Sequence, residues 1–202
     1  MAVTRRIPKQ KRSIEKVERI LDAAALLMKE VGADNITTHL VAKRAEIAVG
    51  SLYQFFPNID TVKIALIERV MKQLYLTIMQ TLQSDPVFEL AELSARLIDA
   101  TLNFYCHKQS VVQTILAIRN TEAFEQVKAA KNEKVITGIV SYISSNNQNI
   151  DVSQLTRKTR IAIMVSDVMT FLVWTAPTEK ERLAYINEWK LLSTSYAMTI
   201  HQ

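Results

Sequence analysis

Turn-forming residues are what this chain lacks: it has three glycines and four prolines in 202 residues. Tight turns draw heavily on both, so a turn-rich sandwich or barrel is excluded and long helices with short connections are favoured. Apolar residues make up 49% and charged residues 22%, enough to fill a globular core. The one cysteine, Cys106, cannot form an intrachain disulfide, and the three histidines (His39, His107, His201) are too scattered for metal-ligand spacing. No metal and no cofactor is expected. The longest nearly apolar run, 161–177, is 17 residues long and carries Ser166, Asp167 and Thr170, so it is too short and too polar to span a membrane. With no apolar leader at its start, the chain reads as soluble, cytoplasmic and all-α, without a membrane partner.

Apolar residues recur at helical spacing through most of the length. Val17, Ile20, Leu21, Ala24, Leu27, Met28 and Val31 predict a helix over about 13–31, capped by Ser13 and stopped at Gly32. Thr37 or Thr38 opens a short helix through Arg44 or Ala45. Glu46–Ala48 connects it to a third short helix, Val49–Phe56, closed by Pro57. Asp60 is expected to cap a long helix ending before Asp85. Further helices are predicted over about 87–107, 109–118, 122–144 (interrupted by Gly138), 153–175 and 178–201, about nine in all. No strand alternation, internal repeat or Gly-rich phosphate loop is present.

Charge is uneven. Residues 1–58 hold ten Lys/Arg and six acids, whereas residues 59–202 hold fifteen and fourteen; residues 1–12 alone carry five basic residues and no acid. A basic arm on a near-neutral body suits a polyanion partner at one end, or a solubilising tail.

Residues 37–56 read TTHLVAKRAEIAVGSLYQFF, two short helices meeting at a three-residue connection with the basic arm upstream. This is the pattern a helix-turn-helix requires. Val41, Ala45, Ile47, Leu52 and Phe56 supply its small core, and Ala42 and Gly50 are small where helices must approach closely. The second helix then offers its N-terminal face to a major groove. Thr37, Thr38 and the backbone N–H groups beside them can bind phosphate, and His39 is a weaker candidate for the same.

Over residues 14–66 the chain resembles the TetR family of transcriptional regulators. The matching pattern is a helix opening with Thr-Thr, then Val-Ala-x-Arg-Ala, a turn, and Gly-Ser-Leu-Tyr-x-x-Phe before Pro-Asn-x-Asp; VGSLYQFFPN is its most specific part. The resemblance implies an N-terminal three-helix DNA-binding domain, 1–58, followed by a helical effector-binding and dimerisation domain, 59–202. It also implies that the Tyr53 hydroxyl reaches a phosphate, with packing as the alternative. Four positions depart from the pattern. Glu46 stands where the family usually has Gly, at a cost of about 1 kcal/mol if the turn is left-handed. Ala48 stands where Ser is common, and Phe55 where an aromatic with a polar tip is frequent. Ile59 replaces a common basic residue, and Lys63, one turn on, is the candidate substitute.

The DNA-binding candidates are thus Arg5, Arg6, Lys11 and Arg12 in the arm, Thr37, Thr38 and His39 at the start of the second helix, Val49, Gly50, Ser51, Tyr53 and Gln54 on the third, and Lys63. Gln54 and Ser51 can read bases, Gln being suited to adenine, and Val49 can meet a thymine methyl. The recognition helix has no Lys or Arg, so affinity must lean on the arm, helix ends and dipoles. Lys43 and Arg44 serve either DNA or surface solvation.

Tyr75, Thr101, Phe104 and His107 are the candidate lining of an effector pocket. The last two helices are expected to form a homodimer interface through Ile161, Val165, Val168, Met169, Leu172, Leu192 and Tyr196, because apolar residues cover more than one face of the first. Asp167 can pair across that interface, meet a cationic ligand, or bond locally through Ser166 or Thr170. Cys106 reads as a buried thiol; adjacent helical residues point about 100° apart, so Cys106 and His107 do not form a nucleophile–base pair. With no catalytic set, an enzyme or a helical interaction protein is the remote alternative. The leading reading is a repressor released from a near-palindromic double-stranded DNA operator by a small-molecule effector; an activator can use the same fold.

Overall fold

The computed structural model describes residues 10–84, 89–106, 108–147 and 149–201. Among them are nine α-helices and no strand: α1 (Lys11–Val31), α2 (Thr38–Arg44), α3 (Val49–Tyr53), α4 (Ile59–Gln83), α5 (Leu90–Cys106), α6 (Gln109–Ile118), α7 (Glu122–Asn146), α8 (Val152–Thr175) and α9 (Glu179–Met198), closed by a 3₁₀ turn, Thr199–His201. The scarcity of Gly and Pro is thus expressed as helix length.

Where the ends differ from the sequence expectation, capping is the reason. α1 starts at Lys11 because the extended residue Gln10 accepts from the Ser13 and Ile14 N–H groups, so Ser13 lies inside the first turn rather than capping it. Gly32 stops α1 at φ 85°, as a C-terminal glycine should. α4 is capped by Asn58, not Asp60: the Thr61 N–H donates to Asn58 Oδ1 at 2.9 Å, and Thr61 Oγ1 donates back to the Asn58 carbonyl at 2.7 Å. Asp60 sits in the first turn, where it favours the dipole. α3 is shorter than expected, giving way after Tyr53 to turns in which the Phe55 and Phe56 N–H groups both donate to the Leu52 carbonyl. α7 runs unbroken through Gly138, where a Cβ would lie 2.5 Å from Met79 Sδ; the glycine admits α4 rather than interrupting α7.

The chain forms two compact units. The first comprises α1–α3, α4 through Lys72, α6 and α7 through Lys128; the second comprises α4 from Gln73, α5, α7 from Ala129, α8, α9 and the 3₁₀ turn. α4 and α7 each run through both, and the sequence boundary at 58/59 falls at the start of α4.

In the first unit, Val17, Ile20, Leu21 and Ala24 of α1 close over Val41 and Ala42 of α2, Leu52 of α3, Phe56, and Val62 and Leu66 of α4. Arg69 on α4 donates to Glu18 and Asp22 on α1 at 3.0 and 2.7 Å. α6 packs on α1, with the buried Thr114 Oγ1 3.1 Å from Met28 Sδ. In the second unit, α5, α8 and α9 pack around Trp189, with Ile98, Met169 and Val173. Lys190 on α9 pairs with Asp99 on α5 at 2.6 Å, and Arg160 on α8 with Glu133 on α7.

Candidate nucleic-acid interface

α2 is capped by Thr37, whose Oγ1 accepts from the Leu40 N–H at 3.2 Å. Used as an acceptor, that hydroxyl keeps its own proton for an outside oxygen. The helix ends in a tight turn: the Ala45 N–H donates to Val41 O at 2.9 Å and the Ile47 N–H to Ala42 O at 3.1 Å. This pairing needs a left-handed residue, and Glu46 supplies it at φ 52°. The turn therefore keeps the geometry that glycine would give, at a strain of about 1 kcal/mol. Arg19 on α1 holds it there, its guanidinium donating to the carbonyls of both Ala45 and Glu46. No sequence signal had marked Arg19, because its partners are backbone atoms 26 and 27 residues away.

α3 is fixed from beneath by Leu52, which is fully buried, and by Val49, half-buried against the same core. Phe55, one of the departures, is buried in that core, so its lack of a polar tip has a packing explanation. The other side presents Ala48, Gly50, Tyr53 and Gln54 exposed and Ser51 half-exposed. The Tyr53 hydroxyl lies 3.1 Å from Thr38 Oγ1, either able to donate, which ties the end of α3 to the start of α2. Gly50 has no atom within 4 Å of where its Cβ would stand. It is therefore not small to let helices approach, as the sequence suggested; that explanation holds for Ala42, which is fully buried.

A family model described as bacterial regulatory proteins, tetR family, matches residues 20–66. The helix-turn-helix segment is thus similar to the DNA-binding part of that family. No curated protein matches the chain, but solved structures do. A TetR-family transcriptional regulator from Streptomyces coelicolor is 26% identical, with 95% of this chain and 100% of that one covered and a TM-score of 0.59. The multidrug binding protein EbrR, complexed with imidazole, is 18% identical over 94% and 96% of the two chains, with a TM-score of 0.65. RolR in complex with resorcinol is 13% identical over 94% and 96%, also at 0.65. The chain thus has the fold of TetR-family DNA-binding regulators through both units.

Several cations of this helix-turn-helix head are already engaged. Arg44 makes a bidentate pair with Glu30, with one N–O distance of 2.9 Å; that hydrogen bond holds the Glu30 carboxyl below its ordinary range. The Lys63 side chain is nearly buried, its Nζ 4.0 Å from Asp60, which makes it a poor replacement for a basic residue at Ile59. Lys11, Arg12, His39 and Lys43 are exposed. Arg5 and Arg6 lie outside the described residues, as does His107 of the pocket set.

The other pocket candidates fall in the second unit. Tyr75, Thr101 and Phe104 are half-buried, and the Thr101 hydroxyl donates to the Leu97 carbonyl at 2.8 Å. Phe104 stacks edge-on to Tyr105, and Tyr105 to Trp174 with centroids 4.7 Å apart. Burial first, and then the negative charge of Asp167, pushes the Tyr105 phenol up. Asp167 is paired on α7, not through Ser166 or Thr170: it accepts from Asn132 Nδ2 at 2.7 Å and stands 3.6 Å from Lys131 Nζ. Cys106 is exposed rather than buried, its thiol 2.9 Å from the Asn103 carbonyl. Of the interface candidates, Ile161, Val168 and Leu192 are exposed and Val165, Leu172 and Tyr196 half-buried. Met169 is a correction: it is turned into the protomer's own core beside Trp189, and the exposed Met164 takes its place on the outer face.

Proposed function

We propose that this protein is a dimeric, effector-responsive transcriptional repressor that binds a near-palindromic operator. Residues 1–58 serve the DNA; residues 59–202 serve the effector and the second copy. The observation that carries the reading is the bare face of α3. A glycine inside a helix costs about 1 kcal/mol relative to alanine, and Gly50 makes room for nothing within the protein. Its use is an approach from outside, between Thr37 at one end and Tyr53 and Gln54 at the other; Thr38 is buried beneath Tyr53.

One five-residue recognition helix spans few base pairs, so useful specificity needs two. The exposed apolar faces of α8 and α9, with Ile161, Met164 and Val168 on one and Leu191, Leu192 and Met198 on the other, favour an isologous four-helix contact between copies. The small molecules bound by EbrR and RolR favour an effector in the second unit, with Tyr75, Thr101, Phe104 and His107 as its candidate lining. An effector that prefers a DNA-incompetent conformation releases the operator by population shift.

The deciding experiment is enrichment of a random duplex pool on the full chain, followed by binding measured against salt. A near-palindromic site and a steep fall of log K with log salt are expected, with a flatter slope once residues 1–12 are removed. A salt-insensitive interaction, or no enriched duplex, defeats the reading. A reporter carrying the enriched site should be silenced by the chain; stimulation would make it an activator.

A further inference from the structure

The recognition helix is chemically one-sided. From Ala48 to Phe56 it has no Lys or Arg; of the neighbouring cations, Lys43 is exposed on α2 rather than on the recognition helix, and three others are engaged or buried. The Arg19 guanidinium is on the Ala45 and Glu46 carbonyls, Arg44 is on Glu30, and Lys63 is nearly buried beside Asp60. The commonest reader of guanine is a bidentate Arg or Lys on O6 and N7, and α3 does not offer one. It offers two methyl-bearing side chains at its leading end, Ala48 exposed and Val49 half-buried, with Gly50 bare beside them. Val49 is partly buried against the core formed with Leu52, so what it leaves exposed is held with little rotamer freedom to lose. At the trailing end Gln54 exposes an amide. Of the base-edge features in a major groove, apolar side chains recognise the thymine methyl, and Gln pairs with adenine N6 and N7. The tyrosine that could compete for base edges has its hydroxyl on Thr38.

We infer that the operator half-site is read as A·T base pairs, through thymine methyls against Ala48 and Val49 and an adenine against Gln54. This rests on the proposed DNA-binding role. It adds the chemistry of the sequence recognised.

The test begins with the duplex enriched on the full chain. Thymines at its constant positions are replaced one at a time by deoxyuridine, which removes only the major-groove methyl and leaves pairing and the minor groove unchanged. Each contacted thymine should cost the wild type about fourfold in affinity, the value of one buried methyl-sized group. Val49→Ala, checked for unchanged thermal unfolding, should bind the thymine and uracil duplexes at Val49's position nearly equally, and Gln54→Ala should relax an adenine preference elsewhere. Constant guanines facing α3, or a wild type indifferent to every thymine-to-uracil exchange, overturn this inference while leaving the DNA-binding role standing. No enriched duplex at all overturns both. The DNA-side substitutions give their answer even if a protein variant misfolds.

Discussion

In the helix-turn-helix head Val41, Ala42, Leu52 and Phe56 are buried to 0% exposure, whereas along α8 and α9 Met164, Val168, Leu191 and Met198 stand 59–62% exposed. Both regions are built from amphipathic helices and both leave some large apolar side chains in water, but Ile14, Leu26, Val31 and Leu40 of the head, at 41–51%, are less exposed than the four named on α8 and α9. The outer face of α3 and the start of α2 leave hydroxyls, an amide and a bare glycine outside, a surface suited to a polar, negatively charged partner. The outer face of α8 and α9 leaves methionine, valine and leucine, suited to another apolar face. Most apolar residues of the head close its core, whereas those named on α8 and α9 remain exposed.

The strongest way to break this comparison is to place charge on the unfinished region. Val168→Arg together with Leu191→Arg should give a folded monomer in sedimentation, because both side chains already face water in the protomer. Operator affinity should fall by on the order of 10²–10⁴-fold as two linked half-sites become independent. A DNA-competent dimer carrying both changes would place the interface elsewhere. The matching change in the closed region acts on stability. Phe56→Ala opens a cavity at a fully buried site and should cost about 3–5 kcal/mol in denaturant unfolding. A cost under 1 kcal/mol would show that the head's core is less complete than its burial indicates.

The two regions were also unequally legible in the sequence. The short helices of the head were fixed by local chemistry: the Thr-Thr start, the tight connection and the Pro after Phe56 each carry a backbone requirement that one residue type meets. The family pattern added Tyr53 and marked Glu46 as a departure that could reshape the turn, whereas the structure keeps it left-handed at φ 52°. Long-range partners carried no such signal. Arg19 reaching the turn, Arg69 reaching Glu18 and Asp22, and Asn132 holding Asp167 all join residues far apart in sequence. Nor could periodicity divide α8 between inner and outer faces. Apolar residues surround that helix, so Met169 and Met164 look alike until Trp189 is placed against one of them.

A smaller effect tests how the head keeps its turn. Glu46→Gly should stabilise by about 1 kcal/mol, since glycine adopts the left-handed conformation without a Cβ penalty. Arg19→Ala should cost roughly 1.5–3 kcal/mol, the range for hydrogen bonds to a charged group. Combined, the two should be non-additive, because a glycine turn has less need of a brace. Unfolding of the four variants measures the coupling, and DNA binding by Arg19→Ala should recover in the double variant. Strict additivity would mean that Arg19 contributes packing alone and does not hold the turn.

The smallest effect expected is one the two units share. Glu30 in the first is bonded to Arg44, and Glu133 in the second to Arg160; each carboxyl is held below its ordinary value by that hydrogen bond. A carboxylate whose folded pKa is depressed stabilises fully above its unfolded pKa, near 4.5, and loses that contribution as pH falls through the folded value. The pairs should therefore be silent between pH 7 and 5.5, with their loss confined to the acid side of 4.5. Glu30→Gln and Glu133→Gln should each lower the melting temperature slightly at pH 7 and shallow its fall at low pH. Both pairs are solvent-exposed and screened, so added salt should erase much of the difference. Equal behaviour would confine the contrast between the regions to their apolar residues. A much larger acid response from one of them would show that its ion pair is coupled to further groups around it.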